Sequence, residues 1–148
     1  MDKALLGAAA IATALVGLGA KAETRTEITG EVIDTWCYYS GVMGAPEATV
    51  GTAHHTCALW CAAGGIPVGI LADDGSLYMV LSFEGEGAVD NEALLDVQSD
   101  KITADVTLFE RDGLSYVQVH EVVENEGITV QNHNDFGPIP PFAIPGLN

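Results

Sequence analysis

From Thr24 onward the chain sets apolar residues among polar ones in short runs divided by turn-forming residues, the pattern of a small β protein. The first run, "TEITGEVIDTW", places Ile28, Val32 and Ile33 among polar neighbours, and Gly30 inside it marks a bulge or bend. "IPVGILA" and "SLYMVLSF" flank Asp73-Asp74-Gly75, and "KITADVTLFE" and "LSYVQVHEVV" flank Arg111-Asp112-Gly113. Asp-Gly between β-rich runs is a hairpin signal, so both pairs read as hairpins. In the last run Val117 and Val119 fall on one side, Gln118 and His120 on the other.

One stretch changes period. Ala53–Ala63 reads as a helix with Thr52 as its N-cap, an Ala, Leu and Trp interior, and Gly64-Gly65 as its stop. The loop before it, from Tyr38 to Thr52, is rich in Gly and Ala. The polar connection "EGEGAVDNEALLDVQSD" has room for one helical turn around Glu92–Leu95. The closing "NHNDFGPIPPFAIPGLN" carries four of the six prolines, which excludes a central strand or a helix and leaves an extended tail lying along the barrel. Together these elements predict a mainly β fold: a small five-stranded OB-like barrel over residues 23–125. One short helix falls between strands 1 and 2, which is not the usual place in that fold, and a Pro-rich tail spans 126–148.

Residues 1–22 belong to a different kind of segment. A charged tip, an apolar run from Ala4 to Ala20, and Ala20-Lys21-Ala22 have the layout of a secretory signal cleaved after Ala22. The competing reading is a retained anchor, but the run has 17 residues, mostly Ala and Gly, where a spanning helix wants about 20. The expectation is therefore a periplasmic or otherwise exported domain, tethered to a membrane only if residues 4–20 stay attached.

Loss of Asp2, Lys3 and Lys21 with that segment takes the net charge from −16 to −17 and leaves Arg25, Lys101 and Arg111 as the basic side chains. A surface so acidic repels phosphate backbones, which argues against nucleic acid, and favours solubility or a basic protein partner. Export also implies an oxidising compartment, where thiols tend to pair; three cysteines cannot all pair within one chain.

The chemistry concentrates in "HHTCALWC". On a helix His54, Cys57 and Cys61 stand at i, i+3 and i+7 and share one face, with His55 turned away from it. Cys37, at the end of the first strand, is placed to add a fourth ligand across the loop. Cys₃His is a closed tetrahedral set for zinc, and thiolate with imidazole also suits copper(I). Met43, in the intervening loop, would add a thioether to a soft-metal site. Two other readings stay open. Cys37 could bridge to Cys57 or Cys61 as a structural disulfide, or Cys57 and Cys61 could form a redox pair. Trp36, Tyr38, Tyr39 and Trp60 either shield the site or fill the core. His133, with Asp135, is a weak candidate for a surface cation. No Gly-x-Ser-x-Gly, His-Glu-x-x-His or phosphate-cradling loop is present, which points away from an enzyme.

Gly30-x-Val32-x-Asp34 ahead of Cys37, then His54-x-x-Cys57-Ala-x-x-Cys61, "GGIPVGIL" and "DDGSLYMVL", resembles a loose group of small exported bacterial OB-like domains. In that group a first-strand Cys precedes a His/Lys-rich Cys-x₃-Cys helix and an Asp-Gly hairpin. The resemblance runs from about Thr26 to Val123 and implies the barrel fold and a single module containing all three cysteines. Lysine often stands at position 55 in the group, so His55 is not carried over as a ligand. The sequence thus leads to an exported, non-enzymatic accessory protein binding copper ahead of zinc through Cys37, His54, Cys57 and Cys61. Its role would be metal delivery or membership of a respiratory membrane complex. The alternative is a disulfide-stapled acidic module that docks a protein partner without metal.

Overall fold

A computed structural model describes residues 23–83 and 91–136. The expected signal or anchor over residues 1–22 and the prolines of the tail lie outside these bounds. Five strands form a closed barrel: β1 (Thr24–Asp34), β2 (Val68–Ala72), β3 (Leu77–Phe83), β4 (Lys101–Arg111) and β5 (Leu114–Asn125). They neighbour one another in the order β1-β2-β3-β5-β4, with β4 returning to β1. The β3/β5 contact is parallel and the other four are antiparallel. This is the small OB-like barrel that the strand pattern predicts.

The period-2 burial of β4 shows how the sequence builds the core. Ile102, Ala104 and Val106 point inward, while Lys101, Thr103 and Asp105 are less buried. The same alternation in β5 buries Val117 and Val119; Ile28, Val32, Val68, Ile70 and Phe83 complete the packing. Closure removes open sheet edges, which would otherwise invite pairing with other chains.

β1 serves two neighbours. Its first part, Thr24 to Glu31, pairs with β4, and Gly30 to Asp34 pairs with β2. Gly30 sits in both ladders, and a Cβ there would come within 2.5 Å of the Leu71 carbonyl oxygen. The glycine therefore marks a close approach of two backbones in an unbroken register, and no bulge. Asp112 and Gly113 both have positive φ, 53° and 83°, as a tight two-residue hairpin between twisted strands requires.

The β1–β2 connection holds more structure than one helix. It contains α1 (Thr35–Ser40), a 3-10 turn over Pro46–Thr49 and α2 (Gly51–Ala63). Cys37 thus lies on α1 and not at the end of the strand. Asp34 explains the change: its Oδ1 accepts from the N–H of Trp36 at 2.8 Å and of Cys37 at 3.2 Å, capping a new helix. α3 (Asn91–Asp96) occupies the β3–β4 connection, where the single expected turn falls.

α2 starts at Gly51, ahead of the expected Thr52 cap, and tertiary partners satisfy its first N–H groups. Gly51 N–H donates to Glu31 Oε1 (2.6 Å), Thr52 N–H to the Val130 carbonyl (2.9 Å), and Ala53 N–H to Asn132 Oδ1 (3.0 Å). Thr52 Oγ1 instead accepts from the N–H groups of Asn132 and His133. The described start of the tail is thereby fastened to the helix that carries two cysteines. Among the described residues no helix is long and apolar enough to cross a membrane.

Candidate metal centre

Three elements converge on one point. β1 ends in Asp34, α1 supplies Cys37, and α2 supplies Cys57 and Cys61; the four ligand atoms all lie within 4.8 Å of one another. Asp34 and Cys37 are buried, Cys57 and Cys61 only partly so. The cluster is therefore walled on the barrel side and reachable from the α2 side.

The helix geometry of α2 does what its spacing requires. His54 and Ala58 point into the molecule and are fully buried, while Cys57 and Cys61 flank that face. The two sulfurs lie 4.0 Å apart, about twice the S–S bond length. All three cysteines are free thiols, so neither alternative pairing, Cys37 with Cys57 or Cys61, or Cys57 with Cys61, is formed.

Asp34 is the member of the cluster that the spacing argument missed. Its Oδ1 is committed to the α1 cap, whereas Oδ2 is buried without a hydrogen-bond partner, 3.7 Å from His54 Nε2. Burial pushes this carboxyl up, but the thiols of Cys61 and Cys37 and the N–H groups of Cys37 and Trp36 outweigh it and hold the group below the usual carboxylate range. The thiols respond in the opposite direction. Burial, then the Asp34 carboxylate, pushes Cys61 up to about 12 and Cys37 higher still. Without a cation these sulfurs keep their protons; a metal ion would have to displace them.

His54 stands beside this group and not within it. Its ring is completely buried, neither nitrogen has a hydrogen-bond partner, and Nε2 lies 3.7 Å from Asp34 Oδ2. Burial lowers its basicity against the opposing pull of Asp34. His55 points elsewhere, with Nδ1 at 2.9 Å from the Gln98 carbonyl.

The remaining candidates separate from the site. Met43 lies on the turn after α1 and is exposed. Trp36, Tyr39 and Trp60 do not fill the core: they are 53%, 64% and 77% exposed. Each is next in sequence or nearly so to a cysteine, but on a short helix the adjacent side chain turns away from its neighbour's face. His133 is held by Thr52, its Nδ1 at 2.9 Å from Oγ1, which makes it part of the α2 anchor.

The arrangement can hold one cation by three sulfurs and a carboxylate oxygen, with the His54 imidazole 3.7 Å from that carboxylate. An aspartate three positions before a cysteine, followed by "TWCYYS" and Gly41, was the available signal for Asp34 as both cap and ligand. No protein-family model, curated protein or solved structure matches the chain.

Proposed function

We propose that the protein is an exported accessory protein that binds one soft metal ion, copper(I) ahead of zinc, for delivery to a protein partner. The observation that carries this reading is the convergence of three thiols and a carboxylate oxygen of Asp34 within 4.8 Å. Such a grouping is costly to bury for packing alone, because the carboxylate loses its water there and the neighbouring thiols offer it only weak S–H donors in exchange. A cation relieves that cost.

Copper(I) is favoured over zinc by donor identity. Sulfur supplies three of the four ligand atoms, and Asp34 already spends one oxygen on the helix cap, so the hard donor is the weaker partner. Half-exposed Cys57 and Cys61 suit an ion that is passed on, whereas a closed structural site shields all its ligands. His54 serves as a partner that orients Asp34 or as a further ligand from behind. Two apolar clefts of about 310 Å³ are lined by Tyr38, Pro46 and Leu71 on one side and by Leu59, Trp60 and Leu95 on the other. Neither is lined by a cysteine, Asp34 or His54.

The acidic surface gives the partner its expected character. Among the described residues each lysine or arginine is paired with a carboxylate: Arg25 with Asp105, Lys101 with Asp73, and Arg111 with Asp112. A receiving protein would bring its own basic residues.

The test is anaerobic titration of the reduced full chain with copper(I) and, separately, zinc. One equivalent of copper(I), competing successfully against a chelator and lost in Cys57→Ala and Cys61→Ala, is the expected result. Binding that is unchanged in those variants would overturn the reading; tighter binding of zinc would reassign the metal.

A further inference from the structure

We infer that Cys57 and Cys61 form a reversible disulfide with each other, and that its closure empties the metal centre. The disulfide half of this inference stands on geometry alone; the release half rests on the metal reading above.

The two sulfurs are already 4.0 Å apart on one helix, so bringing them to bonding distance needs no movement between elements. Cα atoms one helical turn apart are about 6 Å from each other, inside the span a disulfide accepts. The helix can give at the right end. Cys61 lies in the last turn of α2, which closes through the Gly64 N–H to Trp60 and the Ile66 N–H to Cys61 itself. Gly65 follows at φ +87 with open space where a side chain would be. Tightening that last turn therefore displaces little else.

The Cys37 sulfur also lies within 4.8 Å of the other two, and burial is what sets it apart from the pair. Its side chain is 1% exposed, and its backbone N–H is held by Asp34 at the start of α1. A small disulfide reaching the cluster from solvent meets the part-exposed Cys57 or Cys61 first. Thiols compete for a disulfide partner by access as well as by protonation.

The chemistry balances with a disulfide, RSSR, as oxidant. One protein thiol, through the small fraction that loses its proton, attacks RSSR, forming a mixed disulfide and releasing RS⁻, which takes up that proton. The second thiol then displaces the remaining RS⁻ in the same way. Net, two protein thiols are oxidised by two electrons to Cys57–S–S–Cys61 and RSSR is reduced to two RSH. A site that held its ion through three sulfurs keeps only Cys37 and Asp34, too few soft donors to retain copper(I).

The experiment equilibrates the metal-free full chain with reduced and oxidised glutathione under nitrogen, alkylates all remaining thiols in denaturant, and maps the products by mass spectrometry. The expected product has a Cys57–Cys61 bridge and a single alkylated residue, Cys37. Cys37→Ala should give the same bridge at the same glutathione ratio; because that variant removes a buried side chain, the wild-type map decides if it fails to fold. A dominant bridge involving Cys37, or stable glutathione adducts on Cys57 and Cys61 with no bridge, would overturn the inference. A second arm oxidises chain preloaded with copper(I) and follows copper released to a chelator; release in step with bridge formation is expected, and a bridged protein that keeps its copper overturns the release half. The two readings fail separately. A chain that forms the bridge but takes up no copper(I) when reduced sinks the metal centre alone, and one that binds copper(I) but never forms the bridge sinks this inference alone.

Discussion

His54 Nε2 lies 3.7 Å from Asp34 Oδ2, and both atoms are sealed from solvent with no hydrogen-bond partner of their own. A polar pair kept in that state without a close hydrogen bond lowers stability, which makes the imidazole informative to remove. Replacing it by an apolar side chain of similar size, His54→Leu, is expected to leave metal-free folding unchanged or to raise stability by about 1 kcal/mol. Copper(I) affinity should fall by about tenfold or more, as when a group that orients a ligand is lost. Urea unfolding and chelator competition on the same preparation check both halves. A large stability loss with intact affinity would make His54 a packing residue.

Asp34 has two jobs, and two substitutions separate them. Asparagine caps helices about as well as aspartate, so Asp34→Asn should keep α1 and change stability by less than about 1 kcal/mol. Asp34→Ala should cost about 1–2 kcal/mol through the lost cap. Both remove the carboxylate charge and should weaken metal binding tenfold or more. The measurement is again unfolding against affinity; equal stability of the two variants would refute the cap.

Glu31 gives a pH signature of unusual sign. Burial raises its carboxyl from 4.5 to about 7, with the Gly51 N–H opposing and Asp100 adding to the rise. Between those values the folded chain binds the proton more tightly than the unfolded chain. The contribution to stability is therefore complete below 4.5 and lost as pH rises through about 7. Glu31→Gln keeps an acceptor for Gly51 and removes the titration. Its stability relative to the parent should grow across that window by about 1–3 kcal/mol, allowing for partial exposure, and level off above it. Urea midpoints at about pH 5 and about pH 8 check this, and an equal difference at both would refute it.

Gly51 is where the α2 anchor tolerates no side chain. Its φ is +64, and a Cβ would come to 2.3 Å from the Val130 carbonyl oxygen and 2.7 Å from the Val130 Cβ. Gly51→Ala should cost about 3 kcal/mol or more, combining backbone strain with overpacking. It should also weaken copper(I) binding by displacing Cys57 and Cys61. Calorimetric unfolding and metal titration check the two effects; a neutral substitution would show that the start of the helix can relax.

The strands and both hairpins were legible because period-2 burial and Asp-Gly turns act locally. Ile102, Ala104 and Val106 needed nothing distant to declare their face. The Cys57/Cys61 stripe was legible for the same reason, being set by helical repeat. What local pattern hid was whatever depends on contacts far along the chain. Asp34 looks like the last polar residue of a strand until its carboxylate is found capping six residues of helix. Thr52 looks like a cap, but Val130 and Asn132, about eighty positions away, take that role. For Trp36 and Trp60 the sequence left core and shield both open because bulk alone was visible, not direction; both are exposed.

That fastening has a consequence for when the centre can exist. α2 is held at its start by Glu31 and by Val130 and Asn132, the latter two contributed by chain that emerges after the whole barrel. A chain in which Val130 and Asn132 are not yet in place would carry Cys57 and Cys61 on a helix whose first N–H groups lack their partners. The four-residue cluster is thereby assembled only once the segment that follows the barrel has docked on α2, so a contact at residues 130–132 decides the spacing of side chains some seventy positions earlier.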